Sequence, residues 1–317
     1  IEPIPGNTLR LTLDARLQAA AEAALDEQMA KLRTDSADPC PCPAPYGAAV
    51  VLDVHTGGIL ALASRPAFDP NVFALQPFLP AGGPRRAEID DIIRSYYEGG
   101  SELFNRALQG RYPPGSVFKI VTALAGLEHG LGDQTVYCPG VFVHAGRTYE
   151  DWQGHGHVDL TKGIGRSCNV YFWTMGLRLG TERMGEMAQK LGLDGTSGLR
   201  DLSGEKPGEF PFGADPLNTA IGQGGHLYTP LQIAVFFATV ANGGTRYRPY
   251  LVDQILTPAG EVVYQASPEV LAELDVPQST LDRVVDGMVG VTSCIEGWCG
   301  TAYGTFAGAP YVVAGKT

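Results

Sequence analysis

The sequence has no apolar run approaching the roughly 18 residues of a membrane-crossing helix. Its longest stretches, near Ala48–Val54 and Ile233–Val240, are short and read as a core strand and a core helix. It is also poor in positive charge. Lys and Arg number 23 against 34 Asp and Glu, a net charge of −11, which argues against a nucleic-acid partner because phosphate binding needs a positive surface. The same balance disfavours an anionic membrane surface. Internal repeats, low-complexity tracts and an initiating methionine are absent; beginning at Ile1, the chain reads as an excised or processed piece whose anchor is expected outside it. What it has is 317 residues with 44% hydrophobic content, enough to bury a sizeable core.

The patterning is that of one mixed domain over residues 11–317, preceded by a linker over residues 1–10. Apolar residues at helical spacing, Leu17, Leu25, Met29 and Leu32, predict a helix over 14–33 capped by Asp14. A Pro/Cys-rich loop follows over 38–45. Strands are predicted at 47–54 and 58–64, joined through His55-Thr56-Gly57-Gly58, a hairpin signal. A polar insertion occupies 81–101. Thr229-Pro230-Leu231-Gln232 spells a capping box with proline at the first helical position, so a buried helix is expected to about Asn242. Strands interspersed with helices imply an α/β (α+β) layered fold.

Chemistry enters at Tyr112-Pro113-Pro114-Gly115-Ser116-Val117-Phe118-Lys119. A serine hydroxyl is a poor nucleophile at neutral pH and needs a base and a means of holding negative charge. Proline and glycine suit a turn before Ser116 and the apolar run Val117 to Leu127 suits a helix, so Ser116 is expected at a helix N-terminus. Lys119, three residues on, shares its helix face. Ser167-Cys168-Asn169 and the final Lys316-Thr317 complete an ordered set. Read singly, these would be a capping serine, a helix-capping loop before Val170 to Leu179, and the solvated end of a Val312-Val313-Ala314 strand.

S-x-x-K, S-x-N and K-T in this order resemble the active-site set of β-lactamases and penicillin-binding proteins. Thr12-Leu13-Asp14, the hairpin, Asn105-Arg106-Ala107, Gly222-Gln223-Gly224 and Thr229-Pro230-Leu231-Gln232 extend the likeness. From Leu11 to Thr317 the chain resembles the transpeptidase domain of class B penicillin-binding proteins, and among them the elongation-specific penicillin-binding protein 2 type. The resemblance implies an antiparallel sheet covered by helices plus an all-helical lobe. It also implies that the glycine after Thr317 and the last strands of the sheet lie beyond this sequence. The activity implied is a D,D-transpeptidase acting on peptidoglycan stem peptides that end in D-Ala-D-Ala, inhibited by β-lactams, with no cofactor needed for the chemistry. Ser116 would be the nucleophile and Lys119 its base, kept neutral by burial and by Lys316 nearby. Ser167 would relay a proton, Asn169 would hold the substrate backbone, and Thr317 would bind the terminal carboxylate.

A membrane glycosyltransferase of the elongation machinery is implied as partner, and the outer face of the cytoplasmic membrane, or periplasm, as location. The E-x-x-L-N tract that a class A β-lactamase uses to activate water is missing between Asn169 and Lys316. A β-lactam-sensing receptor domain and a D,D-carboxypeptidase or β-lactamase are the competing readings.

Of the six cysteines, Cys294 and Cys299 bracket a loop long enough to close on itself, whereas Cys40 and Cys42 are poorly placed to bridge each other. Thiolate, imidazole and carboxylate are zinc ligands. Some relatives hold zinc beside the active site, and matching Tyr-x-Asp-Trp and Gly-His places the corresponding ligands on Cys138, Asp151, His157 and Cys168. A Cys138–Cys168 disulfide and buried free thiols are the alternatives. His144 and His155 are read as surface residues or as supports behind the ligands.

Overall fold

The computed structural model describes residues 5–34, 44–99, 101–295 and 297–317. Cys40, Cys42 and most of the Pro/Cys-rich loop lie outside those residues. The first strand, β1 (Thr8–Leu11), is followed by α1 (Ala15–Thr34). The Asp14 carboxylate accepts from the Arg16 and Leu17 amides, the cap expected from sequence. The hairpin forms from β2 (Gly47–Leu52) and β3 (Ile59–Arg65) in antiparallel register. Its turn needs Gly57, which sits at φ +82; a Cβ there would lie 2.5 Å from the Arg248 carbonyl oxygen.

Helix α2 (Pro70–Leu75) precedes the polar insertion, which itself folds into α3 (Pro84–Glu98), and each helix is entered through a proline that gives up an amide the helix end would leave unpaired. Helix α4 (Lys119–Glu128) is buried through its first two turns. After it come the short pairs β4 (Val136–Cys138) with β7 (Gly156–Val158), and β5 (Val141–His144) with β6 (Arg147–Glu150). Helices α5 (Leu160–Gly165) and α6 (Asn169–Lys190, broken at Gly180) lead to α7 (Pro216–Ala220). Helix α8 (Pro230–Ala241) carries the expected capping box, Thr229 and Gln232 each accepting from the other's backbone amide. The strands β8 (Thr245–Tyr247), β9 (Val252–Leu256), β10 (Val262–Gln265) and β11 (Val270–Glu273) precede α9 (Gln278–Thr292), which ends the regular elements that shape the core.

Two cores result. The larger one joins α4, α5, α6 and α9 around Phe118, Tyr171, Phe172 and Met175. The smaller one lies between the hairpin and α8, around Ile59, Leu108, Leu231 and Val235. The architecture is the expected mixed α/β one, with two differences. Residues 8–10 are not linker: with Leu11 they form β1, which pairs with β9, 241 or more positions later in the chain for every partner, in a sheet ordered β1-β9-β10. Val312–Ala314 do not form a strand. They lie along α9, held where the Thr292 hydroxyl donates to the Val313 carbonyl and the Gly315 amide to the Met288 carbonyl, with no ladder partner among the described residues.

Candidate active site

Gly115 adopts φ +55 and opens a single 3₁₀ turn, Gly115–Phe118, that runs directly into α4. The expected helix thus begins two residues later than Val117. In a 3₁₀ turn residues i and i+3 eclipse, which sets Lys119 on the face of Ser116. The turn is backed by Gly222: the Gly115 amide donates to the Gly222 carbonyl at 3.1 Å, and a Cβ on Gly222, at φ +73, would stand 2.1 Å from the Gly115 carbonyl oxygen. Ser116 is half-buried, while Lys119 is fully enclosed.

Between α5 and α6 the chain turns through Arg166, Ser167 and Cys168. The Arg166, Ser167 and Cys168 amides donate back to the carbonyls of Lys162, Ile164 and Gly163, and Ser167 takes a left-handed φ of +52. A non-glycine residue persists there only where its surroundings over-determine it. Cys168 caps α6, its sulfur accepting from the Tyr171 amide at 3.4 Å, and the Asp151 carboxylate accepts from the Val170 amide at 3.3 Å.

These elements bring Lys119, Ser167, Asn169 and Lys316 together. The Lys119 ammonium donates to the Ser167 carbonyl at 2.8 Å, to the Ser167 hydroxyl at 3.1 Å and to Asn169 Oδ1 at 2.6 Å. Lys316 donates to the same Ser167 hydroxyl at 2.8 Å and to the Thr317 carbonyl at 2.6 Å. Two cations thus share one hydroxyl. Burial lowers Lys119 to about 8, against the opposing pull of the Asp151 carboxylate. Burial and repulsion from Lys119 lower Lys316 to about 7. Near neutral pH the pair is therefore partly deprotonated, and a neutral amine can accept a proton. Thr317 is exposed, its hydroxyl 2.6 Å from that of Thr301.

Behind this loop Cys138, Asp151, His155 and Cys168 are all buried, with one potential ligand atom from each lying within 4.8 Å of the others. His155 takes the place expected for His157. Gly156, at φ +66, breaks the strand's alternation between the two histidines, so His155 turns inward while His157 is exposed against Tyr137. The Cys138 sulfur lies 3.6 Å from Asp151 Oδ2 and 3.4 Å from His155 Nδ1, and the latter two atoms are 3.4 Å apart. A tetrahedral zinc with bonds of about 2.0 to 2.3 Å sets its ligand atoms about 3.3 to 3.8 Å apart, so the donor set, and the spacing of Cys138, Asp151 and His155 within it, fit that ion. Cys138 and Cys168 are free thiols, not a disulfide, whereas Cys294 and Cys299 are bridged. Burial raises the Cys168 thiol far above its ordinary range.

The penicillin binding protein transpeptidase domain matches residues 47–317 of the chain. The peptidoglycan D,D-transpeptidase MrdA of Acinetobacter baumannii is 33% identical over a stretch covering 79% of this chain and 36% of that relative. Penicillin-binding protein 2 of Pseudomonas aeruginosa, solved in complex with WCK 5153, is 32% identical with a TM-score of 0.74, covering 99% of this chain and 68% of that one. A chain solved in work on the structural coordination of polymerization and crosslinking by a peptidoglycan synthase complex is 33% identical with a TM-score of 0.81, covering 100% of this chain and 53% of its own length. The present chain thus spans about a third of the MrdA relative's length.

Proposed function

The chain belongs to the penicillin-binding protein transpeptidase family, of the penicillin-binding protein 2 or MrdA type, and from that premise we propose that it cross-links peptidoglycan as a serine D,D-transpeptidase. The observation that carries this reading is the lysine pair on one hydroxyl: Lys119 and Lys316 both donate to Ser167 and both are held well below the ordinary lysine value.

The steps follow from those positions. Neutral Lys119 takes the proton of Ser116 as its oxygen bonds to the carbonyl carbon of the penultimate D-alanine. The amide C–N bond then breaks, and a proton passed through the Ser167 hydroxyl, supplied from Lys119 or Lys316, leaves on the amine of the terminal D-alanine. An amine of a second stem attacks the ester carbonyl, forming the new amide and returning the proton to Ser116. Asn169 and Thr317 bind, the first the donor's backbone amide and the second its terminal carboxylate. β-Lactams enter by the same attack, opening their strained amide, and remain bound because nothing replaces them quickly. No cofactor is required for these steps.

Cys138, Asp151, His155 and Cys168 would hold a structural zinc, with His155 replacing the expected His157. Bound there, the ion would supply folding free energy and fix the loop that presents Ser167 and Asn169. A location outside the cytoplasm is supported by the Cys294–Cys299 disulfide. Among the described residues no helix is long and apolar enough to cross a membrane. A glycosyltransferase partner is supported by the resemblance to the peptidoglycan synthase chain.

The test is donor turnover. A stem-peptide analogue ending in D-Ala-D-Ala, given with an amine acceptor, is expected to release D-alanine and yield the new amide, with both lost in Ser116→Ala. Release of D-alanine without amide would instead make the protein a carboxypeptidase.

A further inference from the structure

The Cys294–Cys299 disulfide takes no part in the chemistry above, yet its surroundings touch both motifs that hold the lysine pair. Cys294–Ile295 pairs antiparallel with Trp298–Cys299 beside α9. Toward the Ser167 loop, the Trp298 ring lies so close over Gly165 that a Cβ there would meet it at 2.5 Å. The Arg166 guanidinium donates to the Cys299 carbonyl, and the Thr301 amide donates to the Gly165 carbonyl at 3.2 Å. Arg166 is gripped from its other side by Trp152, whose ring centroid lies 4.9 Å from the guanidinium carbon and whose Nε1 donates to the Arg166 carbonyl at 3.1 Å. Toward the chain's last residues, the Thr301 hydroxyl meets that of Thr317 at 2.6 Å. Ser167, in its left-handed conformation, sits one residue beyond these grips.

We propose that this disulfide-closed turn is a strut spanning the two motifs. Trp298, Arg166 and Thr301 are positioning residues: they hold the Ser167 backbone and Thr317 at a fixed separation, so that Lys119 and Lys316 meet one hydroxyl. The disulfide keeps the strut in register. Its kinetic consequence rests on the acyl-transfer reading; its structural consequence does not.

Two readouts on the full chain separate those dependencies. In Cys294→Ser/Cys299→Ser, and separately in Trp298→Ala, the first-order acylation by a penicillin is expected to slow about tenfold, since small misplacements of reacting groups are costly. The preceding noncovalent complex should keep its affinity, and Trp298→Phe should recover most of the rate. Hydrogen exchange at the Ser167, Cys168 and Thr301 amides should quicken in the double serine variant whether or not acylation is observed. Unchanged acylation with unchanged exchange overturns the strut. A parent protein that takes no penicillin defeats the acyl-transfer reading, and exchange alone then decides the strut.

Discussion

Lys119 and Lys316 share one hydroxyl, and the charge each carries there sets the pH at which the site can work. Their values, about 8 and about 7, both lie below the ordinary 10.5. As pH falls through about 8 Lys119 becomes an ammonium ion in the folded protein and can no longer take the Ser116 proton, and below about 7 Lys316 is protonated as well. Acylation by a β-lactam is therefore expected to fall as pH drops through that range, and a flat rate profile would contradict the assignment. Stability moves in the same direction. Between the folded values and 10.5 the unfolded chain binds more protons than the folded one, so the melting temperature should rise with pH over that window, less so in Lys316→Met. Most of these residues were legible because each motif brings its neighbours along the chain. His155 was not. The Gly-His match occurs twice, at Gly154-His155 and Gly156-His157, and only the fold, with Gly156 at positive φ between them, turns the first histidine inward and the second out. For the proposed zinc site, His155→Ala is accordingly expected to abolish bound zinc by elemental analysis and His157→Ala to leave it; the reverse result would make His157 the ligand.

At the scale of elements, local signals read true and remote pairings did not. The capping box of α8 and the β2–β3 hairpin are written in contiguous residues. β1, four exposed residues without alternation, is visible only through β9 at the other end of the chain. The role of Gly222 was likewise hidden, because it acts on Gly115 across more than a hundred residues. Two substitutions divide these cases. Gly222→Ala forces a Cβ into the Gly115 carbonyl at a left-handed position, costing about 1 to 3 kcal/mol, and by displacing the Ser116 turn it should cripple acylation. Thr229→Ala removes only the cap of α8, costing about 1 kcal/mol. Its melting temperature should fall while acylation of the folded protein stays at the parent rate. Equal kinetic losses in the two variants would show that Gly222 supports the fold generally, not the nucleophile turn.

Across the whole molecule, three segments separated by about fifty and about a hundred and fifty residues meet where the larger helical core ends. The 3₁₀ turn and α4 bring Ser116 and Lys119, the α5–α6 turn brings Ser167 and Asn169, and the segment along α9 brings Lys316. Order along the sequence made the set recognisable, but only packing of α4, α5 and α9 explains why it converges. This convergence is what would make Ser116 a nucleophile. Intact-mass measurement of the protein after exposure to a β-lactam tests it most directly. One adduct is expected, mapping to Ser116 and absent from Ser116→Ala; an adduct on another residue, or none at saturating β-lactam, would contradict the claim.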